Sequence, residues 1–318
     1  MVKYKLFFTI FLIAIVTFLS ACGNDNDSLK NKADGKLKIY TTVYPLKDFA
    51  EKIGGEYVDV ETIYPPGMDE HTFEPSQKDI INMAGGDIFF YIGYGLEGFV
   101  EKTKPILQDE GVNVVATGEF VQLPEVTHEE EQDEEEGHDE HNHGTVNPHI
   151  WLDPVYAKQL AEVIKDTLIE AIPEQKQYFE DNYATVAKQL DMLNDEFVEV
   201  TKNMKTNHII VTHAAYGYWE LRYGIEQLSI SGMSSTDEPS QKQLQHIIEE
   251  VQEQNLNYIL VEQNINNKLI DVVKKEANVT PLPIHNLSVL TEKDIENNAD
   301  YFSIMEQNLN TLKQALNN

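Results

Sequence analysis

Short apolar runs that alternate with helical segments constrain the fold of this 318-residue chain more than any other feature. The runs are rich in β-branched and aromatic residues. Because strands that alternate with helices pair in parallel and are covered by helices on both faces, the pattern predicts an α/β fold. The runs are KLKIYTTVYPL, VDVETIYP, DIFFYIG and VNVVAT in the first half, and NHIIVTH, IEQLSIS, NYILVEQ and TPLPIHNL in the second.

The two sets of predicted strands are separated by a stretch that is helical throughout, from Asp153 to about Met204. Pro173 is expected to end a first helix there, because proline clashes with the preceding turn. We therefore predict two lobes, each with a mainly parallel sheet flanked by helices, joined by one long rigid helix. The predicted boundaries are 37–152 for the N-terminal lobe, 153–172 for the linking helix and 173–318 for the C-terminal lobe.

One internal repeat supports two related lobes. The sequence EPSQK occurs at 74–78 and again at 238–242. Each copy starts a predicted helix that leads to a buried strand, and the serine after proline is expected in the N-cap region of that helix.

The N-terminal residues predict export and a lipid anchor. Two lysines precede an apolar stretch from Leu6 to Leu19, which is typical of a secretory signal peptide. An uncleaved spanning helix is the alternative, although a bilayer requires about 20 residues. Cys22, the only cysteine, ends a Leu-Ser-Ala-Cys sequence that resembles the lipobox of bacterial lipoproteins. We expect a lipoprotein signal peptide at 1–21, acylation of Cys22 and a flexible tether at 22–36.

The net charge of −30 argues against nucleic-acid binding, which requires a basic surface. Ten acidic residues and no Lys or Arg lie between Glu125 and His143. Such a run stays extended in water, and histidines within it bind metal weakly. We expect residues 125–145 to be a disordered loop that collects metal ions, and a merely solubilising loop is the alternative. Its histidines are His128, His138, His141 and His143.

Three further histidines lie at or beyond the carboxyl ends of predicted strands. His71 follows the second strand, His149 lies in NPHIWLDP, and His213 ends HIIVTH. Ligands of open parallel sheets bind at this edge, and neutral imidazole is a natural zinc ligand. The spacing alone leaves open whether the three share one metal site or are separate structural residues.

The stretches DEHTFEPSQKD, NPHIWLDP and VTHAAYGYW resemble the three signatures of the zinc- and manganese-binding lipoproteins of ABC transporters. Their order and spacing are also similar, as is the acidic, His-rich segment just before the second signature. The resemblance extends from the lipobox-like sequence to the C-terminal helix. It implies a solute-binding protein, not an enzyme, that carries one metal ion in the cleft between two lobes to an ABC permease and its ATPase.

The resemblance also implies which residues bind which ion. His71, His149 and His213 stand at the ligand positions of the family. Manganese-type relatives tend to have a carboxylate at the third position, and neutral nitrogens favour Zn²⁺ over the harder Mn²⁺. We therefore expect high-affinity zinc uptake by a monomer, held by its lipid on the outer face of the cell membrane of a Gram-positive bacterium.

The fourth ligand is where the chain departs from the family. A carboxylate usually lies in the loop after the last strand of the second lobe, but this chain has PIHNLSVLTEKD there, with Ser288 at or near the position of the acid. A neutral hydroxyl is a poor zinc ligand. Glu262 is alternatively a hydrogen-bond partner that fixes a ligand imidazole. The candidates for the fourth ligand are Glu70, Glu262, His285 and water.

Other functions share parts of this pattern. A manganese-binding relative would have the same fold, and a metal-dependent surface adhesin would need the ion only for folding. A zinc hydrolase would activate a water molecule at an open coordination position, but the sequence offers no convincing general base with a defined partner.

Deletion of residues 126–144 is expected to remove weak zinc binding and to leave one tight site, because His149 belongs to the folded part of the chain. Calorimetric titration with Zn²⁺ measures both classes of site. Loss of the tight site in the deletion variant would refute the separation of loop and site.

Overall fold

The first half of the chain forms one parallel four-stranded sheet. The computed structural model describes residues 35–124, 146–263 and 268–317. Within them the strands are β1 (Leu37–Thr41), β2 (Val58–Thr62), β3 (Ile88–Tyr91) and β4 (Asn113–Ala116). Their order is β2-β1-β3-β4. Ile39 of β1 lies opposite Val60 and Ile88 of its two neighbours. All four residues of β3 are buried, as expected of a central strand.

The second half repeats this arrangement. Its strands are β5 (His208–His213), β6 (Glu226–Ser231), β7 (Tyr258–Glu262) and β8 (Thr280–Ile284). They pair in parallel in the order β6-β5-β7-β8. In both sheets the second strand of the half is an edge strand beside the first, and the third and fourth strands lie on the other side of the first. Ile210 of β5 faces Leu228 and Ile259. The predicted α/β class with two parallel sheets is therefore confirmed.

Helices pack against both sheets and against each other. Those of the first half are α1 (Tyr44–Gly54), α2 (Gln77–Ala84) and α3 (Val100–Asp109). The central pair is α4 (Pro154–Ala171) and α5 (Lys176–Thr201). Those of the second half are α6 (Gly217–Tyr223), α7 (Gln241–Glu253), α8 (Lys268–Glu276), α9 (Glu292–Glu296) and α10 (Tyr301–Leu316).

A long helix joins the two halves, as predicted. Helix α4 has 18 residues and ends just before Pro173, which begins a short 3-10 turn. Helix α5 then runs for 26 residues, and it packs against α4, α1 and α10, so that it contacts elements of both halves. The lobe boundaries at 152/153 and 172/173 stay a prediction.

Both copies of EPSQK begin a helix in the same way. Ser76 is the N-cap of α2 and Ser240 is the N-cap of α7, and each accepts a hydrogen bond from the backbone N–H three residues on. The side chains of Asp79 and Gln243 bond back to the N-cap N–H, which completes a capping box in each case. The predicted serine caps are confirmed, and each precedes the helix between the second and third strands of its sheet.

Some predictions concern residues outside the described ranges. These are the signal peptide at 1–21, Cys22, the tether at 22–36 except its last two residues, and the loop at 125–145 with His128, His138, His141 and His143. Among the residues that the structure does describe, no helix is both long enough and apolar enough to cross a bilayer.

Asp153 joins the start of α4 to the second half. Its side chain is fully buried, and Oδ1 accepts the N–H groups of Val155 at 2.8 Å and Tyr156 at 3.2 Å. Oδ2 accepts a hydrogen bond from Nε of Arg222 in α6, whose guanidinium lies 4.7 Å from the centroid of the Tyr156 ring. These contacts fix the end of the segment that carries His149.

Asp153→Ala is expected to lower the free energy of unfolding by about 2–4 kcal/mol, because it removes a helix cap and leaves Arg222 without its partner. Asp153→Asn keeps an acceptor for the cap and should lose less. Urea unfolding of the metal-free protein measures both. Equal losses would mean that the helix cap contributes nothing and that the whole loss comes from the charge pair with Arg222.

Candidate metal centre

The loops at the carboxyl ends of the strands bring the three predicted histidines together. His71 lies in the connection between β2 and α2, His149 precedes a short 3-10 turn, and His213 is the last residue of β5. The backbone N–H of His71 donates to Oδ1 of Asp69 at 2.9 Å, and that of His149 donates to Oδ1 of Asn147 at 3.0 Å. Such Asx-type turns fix the backbone that carries each ring.

The ring nitrogens lie at the spacing of a metal-binding site. Nε2 of His149 is 3.3 Å from Nε2 of His71 and also 3.3 Å from Nε2 of His213. Zinc–nitrogen bonds of about 2.0–2.1 Å in a tetrahedron place neighbouring nitrogens roughly 3.3–3.4 Å apart. The arrangement therefore fits the edges of a zinc tetrahedron.

Glu70 is the fourth member of the cluster. Ligand atoms of Glu70, His71, His149 and His213 all lie within 4.8 Å of one another. Oε1 of Glu70 is 3.9 Å from Nε2 of His71. Of the candidates for the fourth ligand, Glu70 is the one that the described part of the chain brings to the three imidazoles.

Two imidazoles are oriented by a partner on the other side of the ring. Nδ1 of His149 is 2.8 Å from Oδ1 of Asn147, and Nδ1 of His213 is 2.7 Å from Oε1 of Glu262. An oxygen at this distance accepts a hydrogen bond from Nδ1–H, so that the proton of the neutral ring stays on Nδ1 and Nε2 keeps its lone pair. That tautomer is the one that binds a metal ion through Nε2.

Glu262 therefore lies behind His213 and does not face the cluster. Its Oε1 also accepts the hydroxyl of Thr212 at 2.7 Å. Its Oε2 and the hydroxyl of Tyr216 are buried, and neither has a hydrogen-bond partner among the described residues. This placement favours the alternative interpretation of Glu262, a partner that orients a ligand.

His285 lies outside the cluster, and both of its ring nitrogens are engaged. Nδ1 accepts the N–H of Leu287 at 2.9 Å, and Nε2 is 3.2 Å from Oδ2 of Asp294. Ser288 instead lies against the fourth donor, since its hydroxyl donates to Oε2 of Glu70 at 2.8 Å.

Burial controls the protonation of the imidazoles. Burial, with the nearby His213 and His71, lowers the pKa of His149 well below its ordinary value. Burial and His213 lower the pKa of His71 to about 4. Burial also opposes a charge on His213, but the attraction and hydrogen bond of Glu262 outweigh it and raise that pKa. His71 and His149 are therefore neutral at pH 7, the state that binds a cation.

At pH 7 the carboxyl group of Glu70 is close to half ionised. Burial raises its pKa to about 7, while His213 and the hydrogen bonds of the backbone and of Ser288 act in the opposite direction. A divalent cation nearby favours the ionised form, because opposite charges within a few ångströms lower the pKa of an acid.

Trp151 packs beside the cluster, and Trp151 and Trp219 tie the two halves together. The Trp151 ring centroid is 5.3 Å from that of His149, and both indoles are completely buried. The indole N–H of Trp151 donates to the carbonyl of Asn286 at 2.7 Å, and that of Trp219 donates to the carbonyl of Leu152 at 2.8 Å. The site is thus largely closed to water.

Two of the residues that hold the cluster, Asn147 and Asn286, were not identified from the sequence. Asn147 orients His149, and Asn286 donates to Oε1 of Glu70 at 3.1 Å. The available signal for Asn147 was its place two residues before a ligand position, where an Asx turn can form. Asn286 and Glu70 are too far apart in sequence for any comparable signal.

The chain is similar to known proteins of zinc uptake. Residues 39–315 match the family described as ZnuA, zinc-uptake complex component A, periplasmic. The chain is 36% identical over 299 residues to the zinc-binding lipoprotein AdcA of Streptococcus pneumoniae, covering 94% of this chain and 58% of AdcA. It is 30% identical over 317 residues to the high-affinity zinc uptake system protein ZnuA of Bacillus subtilis, covering 98% of both.

A solved structure shares the fold. The Zn(II)-bound ZnuA-like domain of Streptococcus pneumoniae AdcA has a TM-score of 0.73 at 33% identity, and the match covers 89% of this chain and 100% of that chain. Both the sequence match and the architecture extend over most of the described residues. The chain belongs to the ZnuA family of zinc-uptake complex components.

Proposed function

We propose that this protein captures Zn²⁺ outside the cytoplasm and delivers it to an ABC permease for high-affinity zinc uptake. The observation that carries the proposal is the 3.3 Å spacing of the imidazole nitrogens, which come from both halves of the chain. The relatives support the choice of ion, since AdcA is a zinc-binding lipoprotein and ZnuA of Bacillus subtilis serves high-affinity zinc uptake.

The proposed ligands are His71, His149 and His213, with Glu70 as the fourth. Three nitrogens and one oxygen make up a tetrahedral set that suits zinc. Mn²⁺ prefers more oxygen ligands, and the carboxylate of Glu262 is directed to the far side of His213. The donor set therefore favours zinc over manganese.

The N-terminal sequence and the relatives support the proposed location and partners. A lipid on Cys22 would hold the protein on the outer face of the cell membrane, and the named relatives come from the Gram-positive genera Streptococcus and Bacillus. The receiving complex would be a permease with its ATPase, served by a monomer of this chain. The histidines of 125–145 would raise the local concentration of zinc.

The site favours a carrier over a hydrolase or a structural zinc protein. A hydrolase requires an open coordination position for water, whereas in the proposed site Glu70 would take the fourth place. A carrier releases its ion to a chelator and stays folded, whereas a protein that uses zinc for folding unfolds when the ion is removed. An adhesin that needs metal only for folding falls in the second class.

His213→Glu tests the function and the choice of ion together. The wild type is expected to bind about one zinc ion tightly, and to keep its circular dichroism spectrum after chelation. The variant should lose zinc affinity and shift its preference toward Mn²⁺, because a carboxylate replaces a nitrogen. Competition titrations with both ions measure the ratio.

His246→Glu, on the exposed face of α7, is the matched control and should leave the ratio unchanged. Unfolding of the wild type on chelation, or an unaltered Zn/Mn ratio in His213→Glu, would overturn the proposal.

Zinc binding at pH 6 should release about one proton fewer from Glu70→Gln than from the wild type. In the metal-free protein Glu70 has a pKa of about 7 and is mostly protonated at pH 6, whereas zinc requires the carboxylate. His71, with a pKa of about 4, is already neutral and releases none. The contribution of Glu70 therefore vanishes as the pH rises above 7.

Calorimetry in two buffers of different ionisation enthalpy measures the number of protons released. Thermal unfolding of Glu70→Gln verifies that the variant is folded. Equal proton release from variant and wild type would exclude Glu70 as the fourth ligand.

A further inference from the structure

We propose that Ser288 and Asn286 are positioning residues for the fourth donor, because they hold the Glu70 carboxylate toward the three imidazoles. The inference rests on the proposed function, since it concerns the same site. It gives a role to the loop between β8 and α9, whose residues 285–291 include no Asp or Glu.

Each oxygen of the Glu70 carboxylate receives a hydrogen bond from this loop. The Ser288 hydroxyl lies 2.8 Å from Oε2 of Glu70 and 2.9 Å from Oδ1 of Asn286, and the ionised carboxylate is the stronger acceptor for its single proton. Nδ2 of Asn286 donates to Oε1 of Glu70 at 3.1 Å. All three side chains are buried, so solvent competes little for these bonds. Hydrogen bonds to a charged acceptor are among the stronger ones, and two of them fix the plane of the carboxylate. The loop therefore sets the direction of the remaining lone pairs on the Glu70 carboxylate oxygens.

The loop is itself held firmly enough to orient another residue. The carbonyl of Ser288 accepts the N–H of Tyr44 at 2.9 Å, and the N–H of Ser288 donates to Oδ1 of Asn286 at 3.1 Å. Leu287, between the two positioning residues, has a φ of +61°. A bulky side chain rarely adopts this conformation, and it persists only where the surroundings impose it. The backbone is bent here so that its neighbours on both sides reach Glu70.

A mutant cycle tests the positioning role. Ser288→Ala is expected to weaken zinc binding about 10–100-fold, and Glu70→Ala to weaken it at least as much. In the double variant E70A/S288A the effect of Ser288→Ala should disappear, because the hydroxyl acts through Glu70. Competition with a chromophoric chelator measures the four affinities. Additive losses, or an unchanged affinity in Ser288→Ala, would overturn the positioning role.

Thr117→Val is the matched control for the loss of a buried hydroxyl. The Thr117 hydroxyl donates to the carbonyl of Tyr91 at 2.8 Å and contacts no member of the cluster by a hydrogen bond. Its removal should lower the thermal stability of the metal-free protein without lowering zinc affinity. A loss of affinity equal to that of Ser288→Ala would mean that the latter acts only through stability, and would overturn the inference.

Failure of the proposed function has a different signature. In that case His213→Glu would leave zinc binding unaltered. An intact effect of His213→Glu, together with no effect at position 288, would overturn the inference and leave the function standing.

Discussion

The rest of the site depends on one arrangement, in which Nε2 of His149 lies 3.3 Å from Nε2 of His71 and 3.3 Å from Nε2 of His213. Lone pairs that face each other at this distance repel one another unless a proton or a cation lies between them. The fold opposes that repulsion with fixed partners behind the rings, Asn147 for His149 and Glu262 for His213. Burial adds to this by disfavouring protonation of two of the rings, so that a metal ion is the better occupant.

The two sheets explain why the rings can converge at all. Each has its first strand in an inner position, and the loops that carry the functional groups leave from the carboxyl ends of the strands. His213 ends β5 itself, so its position is set by the hydrogen bonds of a central strand. His149 is set differently, by a short turn whose far end is fixed by Asp153 through a helix cap and an ion pair.

A feature could be predicted when the contacts that form it join residues close together in the sequence, and could not when they join residues far apart. The strands and helices were predictable because their signals are local, and the serine caps at 76 and 240 behaved as expected. The three histidines were recognisable from the stretches around them. The choice of Glu70 over Glu262 and His285 was not, because it depends on contacts between residues far apart in the chain. Glu262 is engaged by a ring 49 positions away, and Glu70 by a hydroxyl 218 positions away.

The placement of Glu70 has a consequence for how an ion leaves. On the proposed assignment, Glu70, His71 and His149 belong to the N-terminal half, and His213 alone comes from the other half. If the halves separate, the ion would lose one imidazole. It would stay bound to the three ligands of the N-terminal half, with one coordination position open. The same movement would remove both hydrogen-bond donors of the Glu70 carboxylate, Ser288 and Asn286, and so weaken the hold of the remaining ligands on the ion. The zinc ion would then always reach a receptor from the N-terminal half.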